Sequence, residues 1–376
     1  MPRVARHKCK YSQIYDDLRH AILRGQYAFG ALLPAEVKLA EQYGASRPTV
    51  ARALSELQQA GLIQRRVGSG TYVTWQDSTQ RERMFGLLMP GLGEMEIFEP
   101  ICSHMARVAE EHAFTLLWGG RSGDASRAMH LQLEQQCQRF IQQKVDGVFF
   151  QPLEFDANKD SINTRIASAL HKAKIPVVLI DQDLTPPPRR SGLDLVCINN
   201  FQSGFIATQH LLTLGCRRID FVARPFSAST VDLRIAGYHE ALLRAGIQPD
   251  ARWIHWGEPG DPAFVHDQIL TSGAEAIICA NDATAAALMH QLDECGVKIP
   301  TQMRMVGFDD VKYAQLLRVP LTTYRQPLAA MAAMAVHTML SRIAHPTLPP
   351  HTIYLDGELI VRRSTDPAAG KPAPHL

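Results

Sequence analysis

The chain has 376 residues, too many for one ordinary hydrophobic core, and its 46% hydrophobic and 20% charged residues exclude a fibrous or globally disordered protein. The net charge of +2 conceals an asymmetry. Residues Met1 to Trp75 carry 11 Lys and Arg against 5 Asp and Glu, and the remainder carries 28 against 32, so a polyanionic partner suits the amino-terminal segment alone.

The chain begins MPRVARHKCKYSQ, basic but with no apolar run behind it, so no secretory signal is expected. No later apolar stretch approaches the roughly 20 residues that span a bilayer. The expectation is a cytoplasmic protein with no membrane partner. Seven cysteines at scattered spacing, none in a C-x-x-C pair, argue against a disulfide framework or a zinc site. No metal or cofactor is expected.

Ile14, Leu18, Ala21 and Ile22 recur at helical spacing before Gly25. Leu33-Pro34-Ala35-Glu36 opens a second helix, which places Leu39, Ala40 and Tyr43 inward and stops at Gly44. Ser46 is the expected N-cap of a third, with Pro48 in its first turn, Val50, Leu54 and Leu57 on one face, and Gly61 after it. Leu62 to Arg66 and Thr71 to Thr74 read as strands joined through Gly68-Ser69-Gly70. Two helices joined by a tight turn and followed by a hairpin make a winged helix-turn-helix. The second helix of such a motif presents its first residues to base edges in the major groove of double-stranded operator DNA. Those residues are Ser46, Arg47, Pro48 and Thr49. Arg47 has the donor fork for guanine, and Arg52 lies one turn further on. Lys38 is a candidate phosphate contact; Arg65, Arg66 and the Gly68-Ser69-Gly70 tip would meet the backbone or minor groove.

From Tyr11 to Val73 the chain resembles the GntR family of bacterial regulators. The stretch LPAEVKLAEQYGASRPTVARALSELQQAGLIQRRVGSGTYV carries the L-P-x-E start, the S-R-x-T-V turn, the L-x-x-x-G-L-I segment and the R-R-x-G-x-G-T-Y-V wing in order. It departs at Val37 and Ala51, where many members have arginine, so base preference does not transfer from them.

Beyond a polar, aperiodic linker the pattern changes to alternating strands and helices. Apolar runs at Met84–Pro90, Phe114–Trp118, Val145–Phe150, Ile175–Asp181, Arg218–Ala223, Ala276–Ala280 and Met303–Phe308 imply parallel sheets covered on both faces. A Pro-rich patch, Thr185–Arg190, interrupts the series. Four segments result: a winged helix-turn-helix at 1–75, a linker at 76–83, a body at 84–365 and a disordered tail at 366–376.

The body resembles the ligand domain of LacI-type regulators and periplasmic sugar-binding proteins. The resemblance rests on Lys144-Val145-Asp146-Gly147, Ile175 to Asp181, Leu214 to Ile219, Arg234 to Tyr238, Ala280-Asn281-Asp282-Ala283, Val306 to Asp310, Pro320 to Thr323 and Arg325-Gln326-Pro327. Together with the head it looks like the arabinose-repressor type of GntR protein. The resemblance implies two α/β lobes around a sugar-sized cleft and a homodimer. It implies chain crossings near Asp181–Ser191, Met305–Asp309 and Thr323–Gln326. Phe98, Arg234 and Asp282 match effector-contacting positions, and Asn281, Asn200 and Trp256 are further candidates. The expected function is a ligand-responsive repressor, not an enzyme. An enzyme with a regulatory head lacks support: there is no Walker A, H-E-x-x-H or G-x-S-x-G motif, and Gly91-Leu92-Gly93 lacks the third glycine of a dinucleotide loop. A solute receptor fits the body but not the basic head.

Overall fold

The computed structural model describes residues 10–23, 25–66, 69–75, 83–90, 97–112, 114–118, 129–366 and 368. The chain divides into two units, 1–81 and 82–376.

The first unit holds α1 (Lys10–Leu23), α2 (Glu36–Tyr43) and α3 (Arg47–Gln59), then the hairpin β1 (Ile63–Arg66) and β2 (Gly70–Val73). Ile14, Leu18 and Ile22 meet Leu39, Val50, Leu54 and Leu57 in one core, which the wing seals with Ile63 and Val73. Each such side chain contributes about 1.5–3 kcal/mol by leaving water. Gly44 ends α2 in the left-handed region at φ 55°, which turns the chain tightly into α3. Ser46 precedes α3 as expected, but its hydroxyl makes no capping bond. It pairs instead with the Thr49 hydroxyl at 2.7 Å.

The second unit contains two six-stranded sheets. The first lobe takes β3 (Arg83–Leu88), α4 (Phe98–His112), β4 (Phe114–Trp118), α5 (Met129–Gln143), β5 (Gly147–Phe150), α6 (Lys159–Lys172), β6 (Val177–Ile180) and β7 (Asp194–Ile198). The second takes α7 (Asn200–Thr213), β8 (Ile219–Ala223), α8 (Ser229–Arg244), β9 (Ile254–Trp256), the short α9 (Pro262–Phe264), β10 (Ala276–Cys279), α10 (Asp282–Glu294), β11 (Arg304–Asp309) and β12 (Thr322–Arg325). The chain returns to the first lobe with α11 (Leu328–Ala344), which packs on α4, and with β13 (Thr352–Leu355), then ends in the second with β14 (Glu358–Ile360).

The strand orders are β13-β7-β6-β5-β3-β4 and β14-β12-β11-β10-β8-β9, parallel throughout except β14, which runs antiparallel to β12 at the edge. The central strands GVFF, VVLI, IDFVA and AIIC are buried at every residue, which is why they read as apolar runs, broken only at Asp220. The expected parallel α/β class is observed, and Arg83, assigned to the linker, opens β3.

One expected crossing moves and one is not a crossing. The first falls at Ile198–Asn200, because Asp194–Ile198 is one more strand of the first sheet. The Pro-rich patch is a loop within that lobe, held where Asp183 Oδ1 accepts the Thr185 and Ser191 N–H groups. Met305–Asp309 does not cross at all; it lies inside β11. The remaining crossings fall at Gln326–Pro327 and Asp356–Gly357. Of the tail, Asp366 and Ala368 are described, and positions 367 and 369–376 lie outside the described residues.

Helices α7 and α8 touch backbone to backbone. A Cβ on Gly204 would collide with the Arg234 carbonyl oxygen, and one on Gly237 with that of Phe201. Only glycine permits this approach, and it fixes the helix that carries Arg234.

Candidate functional site

In the first unit, the start of α3 is the exposed end of the helix-turn-helix. Ser46, Arg47 and Pro48 are exposed and Thr49 is half-buried. Arg47 has no ion-pair partner among the described residues, which leaves its guanidinium free for a ligand. Arg52 is engaged: it stacks over the Tyr11 ring at 4.1 Å and pairs with Glu56 at 3.5 Å. Arg65 on the wing pairs with Glu36 of α2, so the L-P-x-E glutamate braces the hairpin. Lys38 is exposed. Ser69 bonds the Tyr72 hydroxyl at 2.8 Å, and Gly70 has φ 121°. A side chain on Gly70 would also strike Leu32. Gly68 and the Arg66 side chain lie outside the described residues.

In the second unit, a cavity of about 420 Å³ lies between the lobes. Its wall is built from the residues at the carboxyl end of each central strand: Pro90 after β3, Leu153 to Asp156 after β5, Asp181 after β6, Arg224 after β8, Ala280 and Asn281 after β10, and Asp309 at the end of β11. The carboxyl ends of parallel strands are where open α/β sheets bind ligands. The lobes also touch there. The Phe155 N–H donates to the Phe226 carbonyl at 2.8 Å, the Ala228 N–H to Glu154 Oε2 at 3.1 Å, and the Ser229 N–H to Gln182 Oε1 at 3.3 Å. Arg224 stacks on Phe155 at 4.4 Å and pairs with Glu258 at 3.0 Å. Phe155, Asp181 and Asp309 all hold positive φ, a strain that clusters at ligand sites when the surroundings enforce it.

Arg234 is buried in the wall. Its Nε donates to Asn200 Oδ1 at 2.8 Å, its Nη1 to the Ala280 carbonyl, and its guanidinium lies 4.5 Å from the Phe308 ring centre. Around it stand Glu154, Asp181 and Asp309. Burial, then the neighbouring Asp181, pushes the Glu154 carboxyl up to about 7. Burial raises Asp181 to about 6 against the pull of Arg234, and raises Asp309 in the same way. Asp181 Oδ1 is buried without a hydrogen-bond partner among the described residues.

The expected effector residues distribute unevenly. Arg234 and Asn281 reach the cavity; Asn281 also caps α10 by accepting the Thr284 N–H at 2.8 Å. Asn200 stands behind Arg234 and orients it. Asp282 does not line the cavity. It is fully buried, accepting from the Thr323 hydroxyl at 2.6 Å and the Val311 N–H at 3.1 Å, and burial drives its carboxyl well above the usual range. Trp256 is also away from the cavity: on edge strand β9 the alternation turns His255 inward, 2.7 Å from Asp220, and Trp256 outward. The Phe98 side chain lies outside the described residues, although its neighbour Ile97 lines the wall. Sequence reasoning missed Glu154, Asp181 and Asp309. Asp181 and Asp309 each end an apolar strand run, and that position is the one signal that could have found them.

A helix-turn-helix unit joined to a two-lobed, cleft-bearing α/β unit defines a modular binding protein, and the comparisons give both parts a family. Residues 10–73 match the model of bacterial regulatory proteins of the gntR family, and residues 208–365 match that of the periplasmic binding protein-like domain. The chain therefore joins a GntR helix-turn-helix domain to a periplasmic-binding-protein-like domain. It is 27% identical over 374 residues to the arabinose metabolism transcriptional repressor of Geobacillus stearothermophilus, covering 95% of this chain and 97% of that one. It is 26% identical over 286 residues to the ribose operon repressor of Haemophilus influenzae, covering 75% and 81%. The structure of transcription regulator CcpA of Lactococcus lactis superposes with a TM-score of 0.65 at 21% identity, covering 76% of this chain and all of that one. Among the described residues no helix is long and apolar enough to cross a membrane, and no cluster of three or more ligating side chains could hold a metal ion.

Proposed function

We propose that the protein is a transcriptional repressor that binds operator DNA through its GntR head and releases it when a sugar-like effector closes the interlobe cleft. The observation that carries the reading is the cavity itself: polar groups from both lobes converge at the carboxyl ends of the strands, on a chain whose other unit is a GntR helix-turn-helix. Repressor relatives that align along most of the chain support it.

Arg47 is the base-reading residue, with Ser46, Pro48 and Thr49 beside it. Lys38, Arg52, Arg65 and the wing supply backbone contacts. Glu154, Asp181, Arg234, Asn281 and Asp309 hold the effector, and Asn200 positions Arg234. The protein acts as a cytoplasmic homodimer, because paired heads read half-sites about 34–36 Å apart on one DNA face. Effector binding shifts lobe closure only by its differential affinity for the two states, and the lobes transmit that shift to head spacing.

The test is footprinting on DNA upstream of the gene. Wild-type protein should protect a discrete, two-fold symmetric site and lose it when the right sugar is added. Arg47→Ala should leave no footprint while sugars still raise the melting temperature of the protein. A normal footprint in that variant would refute the assignment of Arg47.

A further inference from the structure

We propose that Gln182 and Glu154 are positioning residues for the effector site: from the first lobe they cap the amino end of α8 in the second, so that the helix carrying Arg234 is completed only when the lobes meet. The inference rests on reading the interlobe cavity as the effector site and adds the residues that set its arginine.

A helix leaves its first N–H groups without partners inside itself, and side chains flanking it in sequence ordinarily accept them. Two neighbouring helices follow that rule. Asn199 caps α7 by accepting the Gln202 N–H at 3.1 Å, and Asn281 caps α10. Helix α8 departs from it. Its N-cap position holds Ala228, which has no side-chain acceptor. Its third helical position, from which a glutamate or glutamine would reach back to the cap N–H, holds Val231.

The first lobe supplies both missing acceptors. Glu154 Oε2, after β5, accepts the Ala228 N–H at 3.1 Å, the bond that a glutamate reaching back would make. Gln182 Oε1, after β6, accepts the Ser229 N–H at 3.3 Å. The Gln182 side chain is fixed in its own lobe: it is 3% exposed, and its Nε2 donates to the Pro152 carbonyl at 3.0 Å. With the donor end committed there, Oε1 is the end left to face α8.

A second observation is independent of the caps. Two residues before Ala228, the Phe226 carbonyl accepts the Phe155 N–H at 2.8 Å, and both phenylalanines hold φ 59°. A bulky side chain enters this left-handed region only where its surroundings hold it there. The two strained turns share one bond, and it runs from lobe to lobe. Three bonds therefore form one seam, with residues 226, 228 and 229 against 155, 154 and 182. Arg234 sits in the second turn of α8, directly behind that seam. The close contact with α7 at Gly204 and Gly237 holds the helix from Arg234 onward, and the seam holds the turn before it.

The experiment is hydrogen-exchange mass spectrometry on the full-length protein with no sugar added, so its outcome is separate from the reading of the cavity, which DNA release by sugars tests. Gln182→Leu keeps the bulk of the side chain and removes the acceptor. It should speed exchange at residues 230–234 at least about fivefold, the size expected for loss of one helix cap, and speed it at Phe155, while β5 and β6 exchange as in wild type. Adding Ala228→Ser gives α8 a cap of its own and should restore slow exchange at 230–234 but not at Phe155. Glu154→Ala serves as a second variant, with the same expected pattern, if Gln182→Leu does not fold. Unchanged exchange at 230–234 would overturn the proposal, because α8 would then hold its first turns unaided. A rise confined to β5 and β6, or one that Ala228→Ser does not reverse at 230–234, would overturn it as well.

Discussion

Replacing Asp181 by asparagine tests the electrostatics of the cleft in one step. The carboxyl rises from 3.8 to about 6, mainly through burial, with Arg234 opposing and Asp309 adding to the rise. A displacement of about 2 pH units at roughly 1.36 kcal/mol each corresponds to about 3 kcal/mol of folding free energy. Because the folded value lies above the unfolded one, the stabilising contribution is complete below about pH 4 and is lost as the pH rises to 6. Glu154, raised from 4.5 to about 7, extends the loss to neutrality. Asparagine carries no titrating proton and tolerates the left-handed backbone at φ 71° that position 181 requires. Arg234 loses part of its counter-charge in the variant, which offsets some of the gain, so the expected net stabilisation at pH 8 is about 1–2 kcal/mol. Urea denaturation between pH 4.5 and 8 measures it. The wild-type midpoint should fall across that range, and the variant should fall less. A variant that tracks the wild-type profile, or that is less stable at pH 8, would refute the reasoning.

The geometry sets four further outcomes. Arg47→Ala should weaken specific operator binding by about 1–3 kcal/mol, the worth of one bidentate base contact, while effector titrations stay unchanged; anisotropy and calorimetry report the two separately. Gly237→Ala should cost about 1–3 kcal/mol in thermal unfolding, because the added methyl strikes the Phe201 carbonyl, and should also weaken effector binding by displacing Arg234. Asp282→Ala should destabilise the second lobe by about 1–3 kcal/mol in denaturant melts, since it leaves the buried Val311 N–H and Thr323 hydroxyl without their acceptor. Trp256→Ala should change effector affinity by less than twofold in calorimetry, because that ring points away from the cavity.

Much of this architecture is written locally. The left-handed glycine after α2, the Ser-Arg-Pro-Thr turn and the Arg-Arg-x-Gly-x-Gly hairpin each announce themselves within a few residues. Central strands do so too, because burial on both faces leaves nearly all of their side chains apolar, Asp220 being the exception. Very short or polar strands do not: the edge strands Ile254–Trp256 and Glu358–Ile360 have three residues each, and the inner strand Thr322–Arg325 reads as polar. Asp194–Ile198 hides behind prolines, so the sequence pattern puts the first lobe crossing one strand too early. The site shows the same limit. Residues 281 and 282 both come after β10, yet whichever caps the helix determines which one faces the cleft, and Asn281 takes that role. Glu154 and Asp181 meet because β5 and β6 are neighbours in the first sheet, and Asp309 joins them from the second lobe, relations between distant segments that no local pattern carries.

The central claim joins a DNA-reading head to a ligand-sensing cleft. Fluorescence anisotropy of the purified protein on labelled DNA from upstream of its own gene tests it most directly, with amino sugars, neutral sugars, sugar acids and nucleobases titrated into the complex and random-sequence DNA as control. Tight, sequence-specific binding released by one sugar-like compound is the predicted result. Binding no stronger than to random DNA at low salt, or a specific complex that no compound in the panel disturbs, would contradict it.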